Sequence, residues 1–204
     1  MLLRLDPTQP RAQYESLRVQ LLTARAMQAR LVAERDGQTT VQYPAELQKD
    51  ASEPWLAAIL ETQRQLLGSR RQALEMELGG MRESIAGSQA SLDGLQGSMA
   101  ARQDQRSALQ EQLQGLRELA RDGYIPRNRL LENERLLAQV NGSIAEDLGN
   151  IGRTRRQLQE LKLRIGQRQQ EYQREVSQQL TEAQSSAAAV SYTHLRAHET
   201  PEHL

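Results

Sequence analysis

The chain has no cysteine and no phenylalanine, and aromatic residues make up only 3% of its 204 positions. Without cysteine there can be no disulfides, thiolate metal sites or thiol catalysis. With so few aromatics and only 38% apolar residues, below the 45–50% usual in globular chains, a large three-dimensional core is not expected. Charged residues reach 25% but cancel to a net charge of zero, which argues against nucleic acid as a partner. Lysine is almost absent, Lys49 and Lys162 being the only two, so the positive charge is nearly all arginine. No apolar run approaches 18 residues, so no membrane-spanning helix is expected. The opening MLLRLDPTQ meets an acid and turn formers too soon for a signal peptide. These features point either to a cytoplasmic protein or to a piece of something longer, and the two ends favour the piece.

What the chain does have is period. Residues 2–5 (LLRL) read as a short strand, closed by Asp6, Pro7 and Pro10. An amphipathic helix follows over 10–36, with Leu17, Leu21, Leu22, Ala26 and Leu31 at helical spacing and Asp36-Gly37 as its stop. Residues 37–53 carry Pro44 and no sustained period, as expected of a connector running over a surface. Ser52 as N-cap and Pro54 in the first turn then start a long helix, 54–121.

In that helix Leu60, Leu67, Leu74, Met81, Ser88, Leu95, Arg102, Leu109 and Leu116 repeat every seven residues. A second row, offset by four, holds Leu78, Ile85, Leu92, Met99, Arg106 and Leu113. Alternating steps of four and three form the seam of a coiled coil, and the narrow seam explains the low apolar content. The pattern breaks at 122–126 and resumes over 127–188. There Leu130, Leu137, Ile144, Ile151, Leu158, Ile165 and Tyr172 form one row and Leu148 and Val176 lie on the offset row. Gly123 suits the left-handed residue that ends a helix and Pro126 suits the first turn of the next. Two long helices joined by so short a turn must lie antiparallel. The hairpin is then on the order of 90 Å long at 1.5 Å per residue, with a left-handed supercoil. Leu74 is expected within about a turn of Tyr172.

The expected fold is therefore all-α: a long antiparallel coiled-coil hairpin with an extra N-terminal helix and a strand remnant at 1–9. Arg102, Arg106, Arg155 and Lys162 fall at seam positions, where they either set register at a cost in stability or lay their stems along the seam with their charges in water. Ala73, Gly80, Gly87, Gly94, Ala101, Ala108 and Gly115 form a further seven-residue series, about 120° from the seam at 100° per residue. Each mid-helix glycine costs roughly 1 kcal/mol relative to alanine. Two readings of this stripe stand: indifferent exposed positions, or a lateral groove where a neighbouring hairpin packs closely. At the break, Tyr124 and Ile125 either cap the last core layer or are displayed to a partner.

Nothing catalytic is in sight: no nucleophile elbow, no phosphate-cradling glycine loop, and no cofactor site. The three histidines, His194, His198 and His203, lie in the last stretch. His194 and His198 have the i, i+4 spacing of a helical metal pair, but no third ligand is placed and Pro201 follows, so no metal is expected. Residues 189–204 lose the heptads and resemble a stray peptide found at the ends of chains predicted from assembled environmental sequence. They are read as foreign or disordered.

Three stretches together, LLRLDPTQPRAQ at 2–13, LVAERDG at 31–37 and DGYIPRNRLLENER at 122–135, resemble the periplasmic adaptors, or membrane fusion proteins (HlyD-like), of bacterial type I secretion systems. The similarity is to the branch that exports proteases and lipases, and it covers about 1–187. The resemblance implies that residues 1–9 end the first half of a lipoyl-like domain, from which the chain climbs the hairpin and returns. It implies a non-enzymatic subunit, anchored in the inner membrane of a Gram-negative bacterium only through segments absent from this chain. Its partners would be an inner-membrane ABC transporter, a TolC-like outer-membrane channel and copies of itself in a ring, a hexamer in the family. The channel would be met by the tip: Leu119, Asp122, Gly123, Tyr124, Ile125, Pro126 and Arg127. Related efflux adaptors carry Arg-x3-Leu-x6-Ser there. Here Leu119 matches the Leu, Gly115 stands for the Arg and Pro126 for the Ser, and Arg117 or Arg121 is the substitute arginine. A drug-efflux adaptor and a plain structural coiled coil are the competing readings.

Overall fold

The computed structural model describes residues 8–199, with side chains from 12 to 192. Among them every regular element is helical: α1 (Thr8–Arg35), α2 (Ala45–Lys49), a 3-10 turn (Asp50–Ser52), α3 (Pro54–Arg121) and α4 (Arg127–Glu199). The strand expected at 2–5 lies outside the described residues. The chain divides into two compact units, both drawing on α3 and α4: a first of Met1–Glu77 with Gln167–Leu204, and a second of Leu78–Gly166.

Two helices end the same way. Arg35-Asp36-Gly37 closes α1 and Arg121-Asp122-Gly123 closes α3. In each the glycine takes a positive φ, +67° and +80°. The residue beyond it donates back five residues: Gln38 N–H to Ala33 C=O at 2.8 Å, and Tyr124 N–H to Leu119 C=O at 2.9 Å. The glycine N–H groups bond Glu34 and Ala120 carbonyls, both at 3.2 Å. This is the Schellman arrangement, which satisfies carbonyls that the helix leaves without partners. At the start of α3, Pro54 is the first helical residue and Glu53, not Ser52, stands before it, its carbonyl accepting from Leu56 and Ala57.

The first unit is a three-helix assembly. Leu22 and Ala26 of α1 pack with Tyr43, Leu47, Leu56 and Leu60 in one buried cluster, and Leu31 packs with Tyr172, Val176, Leu180 and Ala183 of α4 in another. Leu74 lies against the second cluster, as its distance from Tyr172 along the heptads predicts. Most of the connector is exposed, but two of its residues anchor it inward. Tyr43 and Leu47 are buried, the Tyr43 hydroxyl donates to the Leu60 carbonyl at 2.7 Å, and the Arg64 guanidinium stacks 5.5 Å from the ring centroid. Two isolated apolar residues carry no period, so their inward direction is not readable from sequence. Arg18 adds ion pairs to Asp50 at 2.9 Å and Glu53 at 2.8 Å, and Arg25 pairs with Glu46.

The second unit is the antiparallel pair itself. Leu92, Ile151 and Leu158 are its buried core, flanked by Ile85, Leu95 and Met99. One row of the α4 seam differs from expectation. Leu148 is exposed, as are Arg155 and Lys162, while Val140 and Asp147 are buried and Thr154 and Leu161 half-buried. The second row is therefore offset by three, not four. Val176 misleads the reading because it is buried four residues beyond Tyr172, whereas in the second unit an aspartate occupies the row and a leucine stands beside it. Asp147 forms an ion pair with Arg102 Nη1 at 2.9 Å and accepts a hydrogen bond from Ser98 Oγ at 3.4 Å. Arg102 also donates to the Ser143 carbonyl at 3.0 Å. Arg102 is thus a paired seam residue and not a stem with its charge in water, while the Nε of Arg106 is buried without a hydrogen-bond partner.

Finally, α4 does not stop at 188 but continues to Glu199. The SSAAAV stretch from 185 is rich in alanine, the strongest helix former, and no breaker precedes Pro201. The side chains of His194, His198 and His203 lie outside the described residues.

Candidate functional site

The turn between α3 and α4 is built from the Schellman bonds at Gly123 and from Pro126, which stands immediately before α4 with its carbonyl accepting from Arg129 N–H at 3.0 Å. The left-handed glycine reverses the chain and turns Tyr124 outward. Tyr124 is 77% exposed and Leu119 45% exposed, while Ile125 is half-buried. The two residues of the apolar pair therefore behave differently. Ile125 is partly taken up by the turn, and Tyr124 is presented to solvent. Asp122, Gly123, Pro126 and Arg127 are all exposed.

Leu131, absent from the sequence reading, adds to this end: it is 51% exposed in the first turns of α4. Its signal was present in the adjacent pair Leu130-Leu131, of which only one member can lie on the seam. Below the turn, Arg117 and Glu134 join the arms through a 2.9 Å ion pair. Arg117 is thereby committed to its own hairpin, whereas Arg121 has an exposed side chain at the end of α3. Both groups of the pair are substantially exposed, so it contributes little to stability.

The small-residue stripe on α3 faces outward throughout. Ala73, Gly80, Gly87, Gly94, Ala101, Ala108 and Gly115 are all exposed, and a Cβ added at any of these glycines would meet nothing within 4 Å. A second small-residue series, missed in the sequence, runs along α4: Ala138, Gly142, Ala145, Gly149 and Gly152, at steps of four and three. The first four are exposed and Gly152 is half-buried, and no Cβ at these three glycines would meet a neighbour within 4 Å. Among the described residues no helix is long and apolar enough to cross a membrane, and no group of three or more acidic or histidine side chains gathers as a metal site.

This architecture has known counterparts. Residues 10–198 match the family model described as AprE, long alpha-helical hairpin. The chain is 47% identical over 186 residues to the alkaline protease secretion protein AprE of Pseudomonas aeruginosa, covering 91% of this chain and 43% of that protein. It is 45% identical over 185 residues to the proteases secretion protein PrtE of Dickeya chrysanthemi, covering 91% and 41%. The chain thus spans less than half the length of these two relatives. Its fold matches the crystal structure of the soluble domain of LipC, a membrane fusion protein of a type I secretion system, with a TM-score of 0.92 and 41% identity over 100% of this chain and 95% of that one. The outward tyrosine at the turn, the antiparallel seam and the docked third helix therefore sit on a known scaffold, and the chain belongs to the AprE long α-helical hairpin family.

Proposed function

We propose that this chain is the hairpin portion of a non-enzymatic periplasmic adaptor for type I protein secretion. It links an inner-membrane ABC transporter to a TolC-like outer-membrane channel and docks on the channel through the hairpin tip. The observation that carries the reading is the display of Tyr124 at the turn, where its 77% exposure is the highest of any large apolar side chain among the described residues. An exposed aromatic with Leu119 and Leu131 nearby in sequence is the kind of anchor that interfaces use. The relatives named for protease secretion and the LipC likeness support protein secretion over drug efflux. So do the connector and the third helix.

The adaptor works as a ring in the periplasm, held in the inner membrane by segments outside this chain. A ring built head to tail needs two different surfaces on each copy. The α3 stripe (Ala73, Gly80, Gly87, Gly94, Ala101, Ala108, Gly115) supplies one and the α4 series supplies the other, small residues letting the helices approach closely.

The test is Tyr124→Asp with Ile125→Asp in the full-length protein. Secretion and channel pull-down are expected to be lost with the helical circular dichroism unchanged. A loss of helicity would instead assign the pair to capping the hairpin.

A further inference from the structure

The helix α1 poses a packing problem that its apolar residues do not solve. Nine of the thirteen residues from 21 to 33 are apolar, and they are spread around the helix axis with almost no preference for one side. Such a helix gains nearly the same burial in several rotations, or slid along its neighbours by a turn or two, because the hydrophobic effect is non-directional. The structure nonetheless holds α1 in one arrangement, and the groups that discriminate are charged.

Glu34 is the centre. Its side chain is fully buried, and it receives three contacts, one each from α1, α3 and α4. Arg30 Nη1 of α1 donates to Oε1. The Tyr172 hydroxyl of α4 donates to Oε2 at 3.2 Å. Arg70 Nε of α3 lies 3.1 Å from the same oxygen as an ion-pair contact, its N–H not aimed as a hydrogen bond. Arg30 is itself buried and spends its Nε on Gln63 Oε1 of α3 at 2.7 Å. The Arg70 guanidinium also lies over the Tyr172 ring, 5.6 Å from its centroid. Sliding or rotating α1 carries the Arg30–Glu34 pair with it. It takes the buried Oε2 of Glu34 away from Arg70 and Tyr172, however, and the Nε of Arg30 away from Gln63. Burying such groups without their partners is costly.

We infer that Arg30, Glu34 and Arg70 form a register lock, which sets the rotation and alignment of α1 on α3 and α4 and adds little net stability. A buried ion cluster is weak evidence for stability, and its replacement as a whole by apolar residues is often neutral or stabilising. Its best attested use is to reject alternative registers, as a lone polar residue does in a coiled coil.

The absence of cysteine from the chain makes the test clean. Spin labels are placed on cysteines introduced at the exposed positions Gln20 of α1 and Gln173 of α4, in the full chain, and the distance distribution is read by pulsed electron resonance. The unaltered cluster is expected to give one narrow distance. Arg30→Met with Glu34→Leu and Arg70→Met should keep helicity and melting temperature within a few degrees while splitting or broadening that distribution. A single narrow peak at the original distance would overturn the lock. So would loss of helicity in the triple variant, since the cluster would then be supplying stability. Glu34→Gln alone removes the charge with little change of shape, and should lower the melting temperature more than the triple change does. The reverse order would also count against the proposal.

Discussion

Asp147 and Arg102 face each other across the seam of the second unit, Oδ2 and Nη1 2.9 Å apart, with the aspartate 4% exposed and the arginine side chain 36% exposed. The pair is asymmetric: the cation can swing to water and the anion cannot. Asp147→Ala should therefore cost only about 1–2 kcal/mol. Arg102→Leu strands a buried carboxylate with Ser98 as its remaining donor and should cost about 3 kcal/mol. Leucine at both positions should return close to the original stability. Urea unfolding of the four proteins measures all three numbers, and equal single-mutant costs would contradict the asymmetry.

Gly123 has φ of +80° and open space around it, so strain and not collision sets the effect of a side chain there. Gly123→Ala should cost about 1–2 kcal/mol, the left-handed penalty of an L-residue. Hydrogen exchange should speed up at Glu118–Tyr124 and remain unchanged in the buried core of the first unit.

Leu47 is fully buried between α1 and α3 although it sits in a five-residue helix that could not persist by itself. Leu47→Ala should cost about 2–5 kcal/mol and release the connector. Limited proteolysis should then cut within 37–53 before it cuts either long helix. A connector that stayed resistant would mean that Tyr43 and the Arg18 ion pairs suffice.

Tyr43 and Tyr172 both have phenols pushed above the usual value, first by burial, with Glu61 near Tyr43 and Glu34 near Tyr172 adding to the effect. A tyrosine in the unfolded chain ionises near pH 10. Their contribution is therefore whole below about pH 10 and is lost as pH rises through the folded values. Thermal melts should fall above that pH. Tyr43→Phe with Tyr172→Phe should flatten the fall while lowering the neutral-pH melting temperature through the lost hydroxyl bonds.

Much of this molecule was legible because its signals are strictly periodic or punctuated. Steps of four and three locate the long helices, and Asp-Gly at 36–37 and 122–123 marks where α1 and α3 end. What was not legible lacks a period. Tyr43 and Leu47 are single apolar residues in a connector, and the side of α1 that faces inward is chosen by Arg30 and Glu34, which by type belong on a surface. The exchange of Leu148 for Asp147 has the same origin, since a pattern of apolar residues prefers the leucine and the structure prefers the aspartate with a partner. The tip was half legible: Tyr124 was named, but its separation from Ile125 and the addition of Leu131 depend on how the turn rotates.

The seven-residue repeat of the second unit makes that pair of arms a ruler with fixed divisions. Removing one heptad from α3 and the facing heptad from α4 would shorten the reach by about 10 Å at 1.5 Å per residue and bring like rows back into contact. Removing one, two or five residues would turn charged faces onto the seam, at 100° of rotation per residue. A hairpin of this kind therefore changes length most readily in whole steps, taken in both arms together.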